Sequence, residues 1–176
     1  MKCECGGVLR KTVLSRFDFS AYAGIPATLV DAPGFRCSKC GREALGGVLI
    51  NRALQLLVQT IVTGPHRLTA PGARFLRKSM RLTQQDLADR LGANRITVTN
   101  WERGESPISK EHDLMLRSIV GAYLLRAERG RPKREEIAQA IDHARTEIAP
   151  TAPPPFVLAD LIARTQKPAP HASRRS

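Results

Sequence analysis

Four cysteines carry the most reactive chemistry in this chain, and they come in two close pairs: Cys3 and Cys5, then Cys37 and Cys40, separated by residues 6–36. Thiolates are soft metal ligands, and two of them on one tight turn converge on a single ion. Cys37-Ser38-Lys39-Cys40-Gly41 has the spacing of a zinc knuckle. Two intervening residues let backbone N–H groups turn toward the sulfurs, and the glycine that follows permits the turn. Cys3-Glu4-Cys5-Gly6-Gly7 is one residue shorter than the usual knuckle, which constrains its backbone. Four thiolates at about 2.3 Å from a tetrahedral zinc are the best reading of the set. The alternatives are ordinary thiols, or a site in which His66 or water replaces one ligand. A catalytic zinc keeps an open position and favours histidine or carboxylate ligands, so this zinc reads as structural. Redox chemistry by Cys37 and Cys40 is the weaker reading, because a second cluster matches the first and a knuckle glycine follows it.

A second stretch, Leu82 to Gly104, could bind nucleic acid. It reads LTQQDLADRLGANRITVTNWERG, two short helices joined by a tight turn. Thr83 can cap the first helix with Asp86 as its capping-box partner. Leu87, Ala88 and Leu91 recur at helical spacing and form a buried face, and small Ala88 lets the second helix cross closely. Gly92 sits where the chain must turn. Asn94 can cap the second helix, whose inner face is Val98 and Trp101. Arg95, Ile96, Thr97, Thr99 and Asn100 are left pointing outward. A helical hairpin without a nucleic-acid role is the alternative, against which several independent positions agree.

The stretch resembles the helix-turn-helix of the Xre and phage-repressor group, with TQQDLA, then LG, then a second helix ending in WERG. The resemblance implies a phosphate contact for Gln84, base-edge contacts for Arg95, Ile96 and Asn100, and a structural ion pair between Arg77 and Glu102. Ile96 replaces the polar residue common at its position, and an apolar contact to a thymine methyl suits it better than a hydrogen bond. The order of parts resembles the MqsA-type antitoxins and the regulators that share their zinc finger. That resemblance implies a partner toxin bound by the zinc domain, and DNA binding and dimerisation by the other. This chain departs from the pattern in its short first cysteine pair and in residues 129–176, which continue where the type member nearly ends.

The elements that must position these groups can be read from pattern. The chain has 176 residues, room for one or two small domains, with 28 Lys+Arg against 16 Asp+Glu and a formal charge of +12. The excess favours a polyanionic partner. It is spread evenly: residues 1–63 hold 8 basic and 4 acidic side chains, 64–128 hold 11 and 7, and 129–176 hold 9 and 5. Charge alone therefore does not locate a binding face. No apolar run is long enough to span a bilayer, the start shows no signal-peptide core, and a cytoplasmic location without membrane contact follows as the default.

The expected fold is mainly α. A small N-terminal β zinc-ribbon-like domain (1–45) precedes a helical linker (46–65) and a helical Xre-type helix-turn-helix bundle (66–128). Strands are expected at Val8 to Ser15 and Thr28 to Asp31, with Ala32-Pro33-Gly34 as a turn and Phe35 to Cys37 returning. A segment this short cannot bury enough apolar surface unaided, and zinc would supply on the order of 10 kcal/mol. Val48 to Val62 is nearly continuously apolar and needs burial on more than one side. Gly64-Pro65 ends it, and His66 follows in a solvated loop.

A helix opening at Thr69-Ala70-Pro71 buries Phe75, Leu76 and Met80, with Arg74, Arg77, Lys78 and Arg81 around the rest. Those cations face either phosphate or solvent. Ser109 caps a helix from Lys110 to about Arg129, with Leu114, Leu116, Ile119, Val120, Tyr123 and Leu124 as its apolar face. Beyond it, a basic linker and short helices are expected over 129–165, and a disordered tail over 166–176. Arg129 to Arg134 is either a basic linker or the core of an AT-hook. Arg134 to Ile148 and Phe156 to Arg164 read as short helices flanking a proline-rich linker.

No Ser/His/Asp set, phosphate-binding glycine loop or acid/base carboxylate pair stands out, so an enzyme is not expected. The chain reads as a sequence-specific, double-stranded-DNA-binding transcriptional regulator, a homodimeric repressor and candidate antitoxin with structural zinc. The alternative is a stand-alone zinc-finger regulator with no toxin partner, its zinc domain serving dimerisation or sensing.

Overall fold

The computed structural model describes residues 1–127 and 156–157. A long antiparallel hairpin dominates the N-terminal part. β1 (Leu9–Asp18) pairs with β2 (Ala27–Cys37) from Leu9 opposite Cys37 to Asp18 opposite Thr28. β3 (Glu43–Ala44) joins the other edge of β2, with Ala44 opposite Phe35, making a three-stranded antiparallel sheet.

The strands run further than the residue pattern suggests. Ala32-Pro33-Gly34 is not a turn but the middle of β2, with Pro33 opposite Val13. Gly34 is there because two neighbours come close. A Cβ on it would lie 2.6 Å from Leu14 Cδ1 and 2.9 Å from the Ala44 carbonyl oxygen. The chain reverses instead at α1 (Ser20–Ala23), closed by Gly24 at φ 70°. Asp18 Oδ1 accepts from Ser20 N–H at 2.8 Å, and Ser20 Oγ accepts from Ala27 N–H at 3.2 Å, so the reversal is pinned at both ends. Within β2, Asp31 takes a left-handed φ of 51°. The buried positions shift accordingly, from Ala27 and Leu29 before it to Ala32 and Gly34 after it, and both sets stay in contact with the core.

α2 (Gly47–Thr63) buries Ala53, Leu56, Leu57, Val58, Ile61 and Val62. Four helices follow: α3 (Ala70–Ser79), α4 (Gln84–Leu91), α5 (Arg95–Arg103) and α6 (Lys110–Ala127). α2 packs against α1 on the sheet side and against α3 and α6 of the bundle. One apolar cluster therefore runs from Leu14 and Leu29 in the sheet, through Leu57 and Ile61, to Leu76, Trp101 and Val120.

Several residues sit otherwise than the patterns indicate. Tyr123 is 41% exposed, while Asp113 and Arg117 occupy the inner face of α6 at 1% exposure each. Arg77, placed among the outward cations of α3, is buried. His66 is half-buried, not solvated. Phe156, expected to open a helix, begins β4 (Phe156–Val157), which runs parallel to β2 beside Ala27 and Thr28. The edge of β2 beyond the reach of β3 has free backbone groups, and an extended segment satisfies them where a helix could not. The AT-hook core, the helix over 134–148, the proline-rich linker and the C-terminal tail lie outside the described residues.

Candidate metal centre and nucleic-acid interface

The hairpin brings the two cysteine pairs together. Cys37 ends β2 directly opposite Leu9, and the N-terminal residues fold back so that Leu9 N–H donates to Met1 O and Ser38 N–H to Val8 O. The sulfurs of Cys3, Cys5, Cys37 and Cys40 all lie within 4.8 Å of one another. Cys3 Sγ is 3.7 Å from Cys40 Sγ, and Cys5 Sγ is 3.5 Å from Cys37 Sγ. Sulfurs about 2.3 Å from a tetrahedral ion stand about 3.8 Å apart, so the set fits one metal ion. His66 is not part of this cluster.

The short first pair works because both loops turn alike. Gly6 has φ 80° and Gly41 has φ 70°, each immediately after the second cysteine of its pair. Cys3 N–H donates to Gly7 O and Gly41 N–H to Cys37 O, closing the two loops. Gly7 lies at the junction between them. A Cβ there would fall 2.6 Å from Cys37 Sγ and 3.3 Å from Cys5 Sγ. The thiols are set against each other electrostatically. Backbone N–H groups of Cys40 and Lys39 bring Cys37 down to about 6. At Cys5 the Gly7 backbone lowers the pKa, but the adjoining Cys40 and Cys37 outweigh it and push the value up to about 12. Four thiolates at this spacing repel one another, and a cation among them removes the conflict. The donor set thus suits a soft, tetrahedral ion.

The second site is the α4–α5 pair. Thr83 Oγ1 accepts from Asp86 N–H at 3.1 Å while Asp86 Oδ2 accepts from Thr83 N–H at 2.8 Å, a complete capping box. The Thr83 hydroxyl and N–H hold the Asp86 carboxyl below its ordinary value. Gly92 at φ 63° makes the turn, and Asn94 Oδ1 caps α5 through Thr97 N–H at 2.8 Å. Leu87, Ala88, Leu91, Val98 and Trp101 are buried between the helices and the bundle.

A polar lock ties this pair to α3. Arg77 donates from Nε to Glu102 Oε1 at 2.5 Å, from Nη2 to Glu102 Oε2 at 2.9 Å and from Nη1 to Leu82 O at 2.7 Å. Gln84 Nε2 donates to the same carboxylate at 3.0 Å, and Thr99 Oγ1 donates to Gln84 Oε1 at 3.2 Å. Burial raises the Glu102 pKa, but the hydrogen bonds from Arg77 and Gln84 outweigh it and leave the carboxyl below its ordinary value. The glutamine at the head of α4 is thus held in a fixed orientation before any ligand arrives. Beside it lies an open depression of about 560 Å³, lined by Arg77, Thr83, Gln84, Gln85 and Arg95.

The outer side of α5 divides into engaged and free side chains. Thr97 Oγ1 donates to Asn94 Oδ1 at 2.9 Å, and Thr99 Oγ1 lies 2.9 Å from Arg95 O. The neighbours of Asn100 assign its amide nitrogen to the inner position, where it donates to Ile96 O at 3.2 Å and Glu105 Oε2 at 3.1 Å. Arg95 is exposed, and Ile96 is 71% exposed. The residue pattern gives Glu105-Ser106-Pro107 only as a turn after the second helix. The polar lock's extension to Gln84 and Thr99 is not visible in that pattern, because it depends on how closely α4 and α5 cross.

Among known families, a helix-turn-helix model of the Xre type matches residues 74–112, from within α3 to the first turn of α6. The match implies DNA binding by this segment, and domains of this kind are typical of non-enzymatic transcriptional regulators. No curated protein matches the chain. No helix among the described residues is long and apolar enough to cross a membrane.

Proposed function

We propose that this protein is a dimeric, operator-specific repressor whose N-terminal module, held by one structural zinc, binds a protein partner. The observation that carries the reading is the capped, polar-locked α4–α5 pair with Arg95 and Ile96 free on its outer side. In this reading α5 enters the major groove and Gln84 meets a phosphate from the depression at the head of α4. Residues 66–128 form the DNA-binding domain, residues 1–45 the zinc domain, and residues 46–65 the helix between them.

Dimerisation is supported by α6, where Met115 and Tyr123 are 43% and 41% exposed, with half-buried Ile119 on the same helix. Two copies would place two recognition helices about 34 Å apart over a palindromic operator. The partner role of the zinc module is supported by exposed apolar side chains on it and at the adjoining start of α2. Val8, Val13 and Val48 are 54%, 63% and 87% exposed, and Val48 borders an open, largely apolar groove with Leu49, Phe35 and Pro33. With the resemblance to MqsA-type antitoxins, this makes a toxin encoded alongside the chain the partner.

Co-purification from the native host, with zinc measured in the same sample, tests the reading. One zinc per chain and a stoichiometric small partner support it. One zinc without a partner leaves a stand-alone regulator, and absence of zinc removes the metal assignment.

A further inference from the structure

We infer that base reading by α5 is confined to Arg95 and Ile96, and that the half-site therefore carries a guanine within one or two base pairs of a thymine. The inference rests on the proposed operator-specific DNA binding and names the chemistry that binding selects.

The argument is a count of free hydrogen-bonding groups. An asparagine reads adenine by donating from its amide nitrogen and accepting at its oxygen together. In the orientation its neighbours assign, both N–H bonds of Asn100 are taken up, one by Ile96 O at 3.2 Å and one by Glu105 Oε2 at 3.1 Å. Only its carbonyl remains, and it cannot make the paired contact. The Glu105 carboxylate also draws Arg103, whose Nη1 lies 3.6 Å away.

Thr97 and Thr99 each have one hydroxyl proton. The first is directed at Asn94 Oδ1, and the second at Gln84 Oε1 or Arg95 O. The structure thus leaves the side chains of three of the polar residues on this helix without a donor for a base. Arg95 differs. Its guanidinium has no hydrogen-bond or ion-pair partner among the described residues, and it borders the depression beside Gln84. A free guanidinium at the start of a recognition helix matches the O6 and N7 acceptors of guanine. Ile96, the next residue, is 71% exposed and stands outside the apolar cluster formed by the described residues. The thymine C5-methyl is the one apolar group the major groove displays. Adjacent residues on one helix reach base pairs that are neighbours or next neighbours.

The test uses the full chain. Binding sites are selected from a random duplex library, and affinities of the wild type, R95A, I96A, T99V and N100A are measured on the selected duplex. They are measured again on the same duplex with deoxyuridine in place of the thymine, which removes only the methyl group. Thermal melts confirm that each variant is folded. The inference expects a selected site with a guanine and a nearby thymine. R95A should lose the guanine preference by roughly tenfold or more. The wild type should lose about fourfold on the deoxyuridine duplex, and I96A nothing further. T99V and N100A should keep both preferences.

An enriched site lacking that pair, a guanine preference that survives R95A, or a base preference abolished by N100A overturns this inference while leaving operator binding intact. Failure to enrich any sequence, with only uniform affinity for duplexes, overturns the operator-specific reading itself.

Discussion

Arg117 folds back onto Asp113, one turn earlier on α6, with Nε 2.5 Å from Oδ1 and both side chains 1% exposed. The guanidinium reaches beyond its own helix. Nη1 donates to Ile61 O, Val62 O and Gly64 O at 2.7, 3.0 and 2.8 Å, and Nη2 donates to His66 O. Asp113 Oδ2 accepts from Leu68 N–H at 2.9 Å. The carbonyls at the end of α2 have no intrahelical partner, and here one buried cation satisfies them. α2, the segment after it and α6 are thereby fastened at one point.

Replacing Arg117 with methionine should destabilise the protein by about 3–5 kcal/mol, because it strands a buried carboxylate and a row of carbonyls. Asp113→Asn should cost less, since an amide still accepts from Leu68 N–H. In the double variant the losses should fall short of additive, which urea unfolding of all four proteins would reveal. Full additivity would show that the two side chains act independently.

The Arg77–Glu102 pair should show itself through pH. Glu102 is held below its ordinary value of 4.5, so its carboxylate is favoured by the folded state. Its contribution is present above the unfolded value and is lost as pH falls below 4.5 through the lower folded value. Melting temperatures between pH 6 and pH 3 should therefore fall more steeply for the wild type than for E102Q. Parallel curves would remove Glu102 from the acid sensitivity, leaving groups such as Asp18 and Asp86, whose carboxyls are also held low.

Gly7→Ala tests the metal centre without touching a ligand. The new methyl would lie 2.6 Å from Cys37 Sγ, so one knuckle must move away from the other. Cobalt(II), whose thiolate complexes absorb visible light, should bind the wild type with a tetrahedral four-sulfur spectrum and bind G7A weakly or with fewer sulfurs. An unchanged spectrum would mean that the knuckles do not meet at Gly7.

Removing the metal should act unevenly along the chain. With a strong chelator, or in the C37S/C40S variant, the strands around the four cysteines should lose order. α3 to α6 should stay helical, since Leu76, Leu87, Val98, Trp101, Leu116 and Val120 pack among themselves. Far-UV circular dichroism with and without chelator checks this. Loss of most helical signal would show that the continuous core through α2 makes the fold one cooperative unit.

The residue pattern by itself determined what depends on local chemistry. The capping box of Thr83 and Asp86, the turn at Gly92, the Asn94 cap and the buried Leu87, Ala88, Val98 and Trp101 follow from spacing, because a helix places residues three and four apart on one side. The two cysteine pairs with their glycines likewise marked a possible metal site through local spacing, and the fold brings the four sulfurs within 4.8 Å of one another. Only the tertiary structure decided what depends on distant partners. Gly34 and Pro33 looked like a turn, yet close contacts with Leu14 and Ala44 make that stretch strand. Asp113 and Arg117 stand four apart on the inner side of α6, a signal that was legible in principle. Their burial is nonetheless tolerable only because the end of α2 brings carbonyls to meet them. Of the residues that periodicity leaves off the inner face of α5, Arg95 and Ile96 are exposed and Thr97, Thr99 and Asn100 are half-buried. Which of them keep free donors depends on Gln84, Asn94 and Glu105, and no helical pattern contains that information.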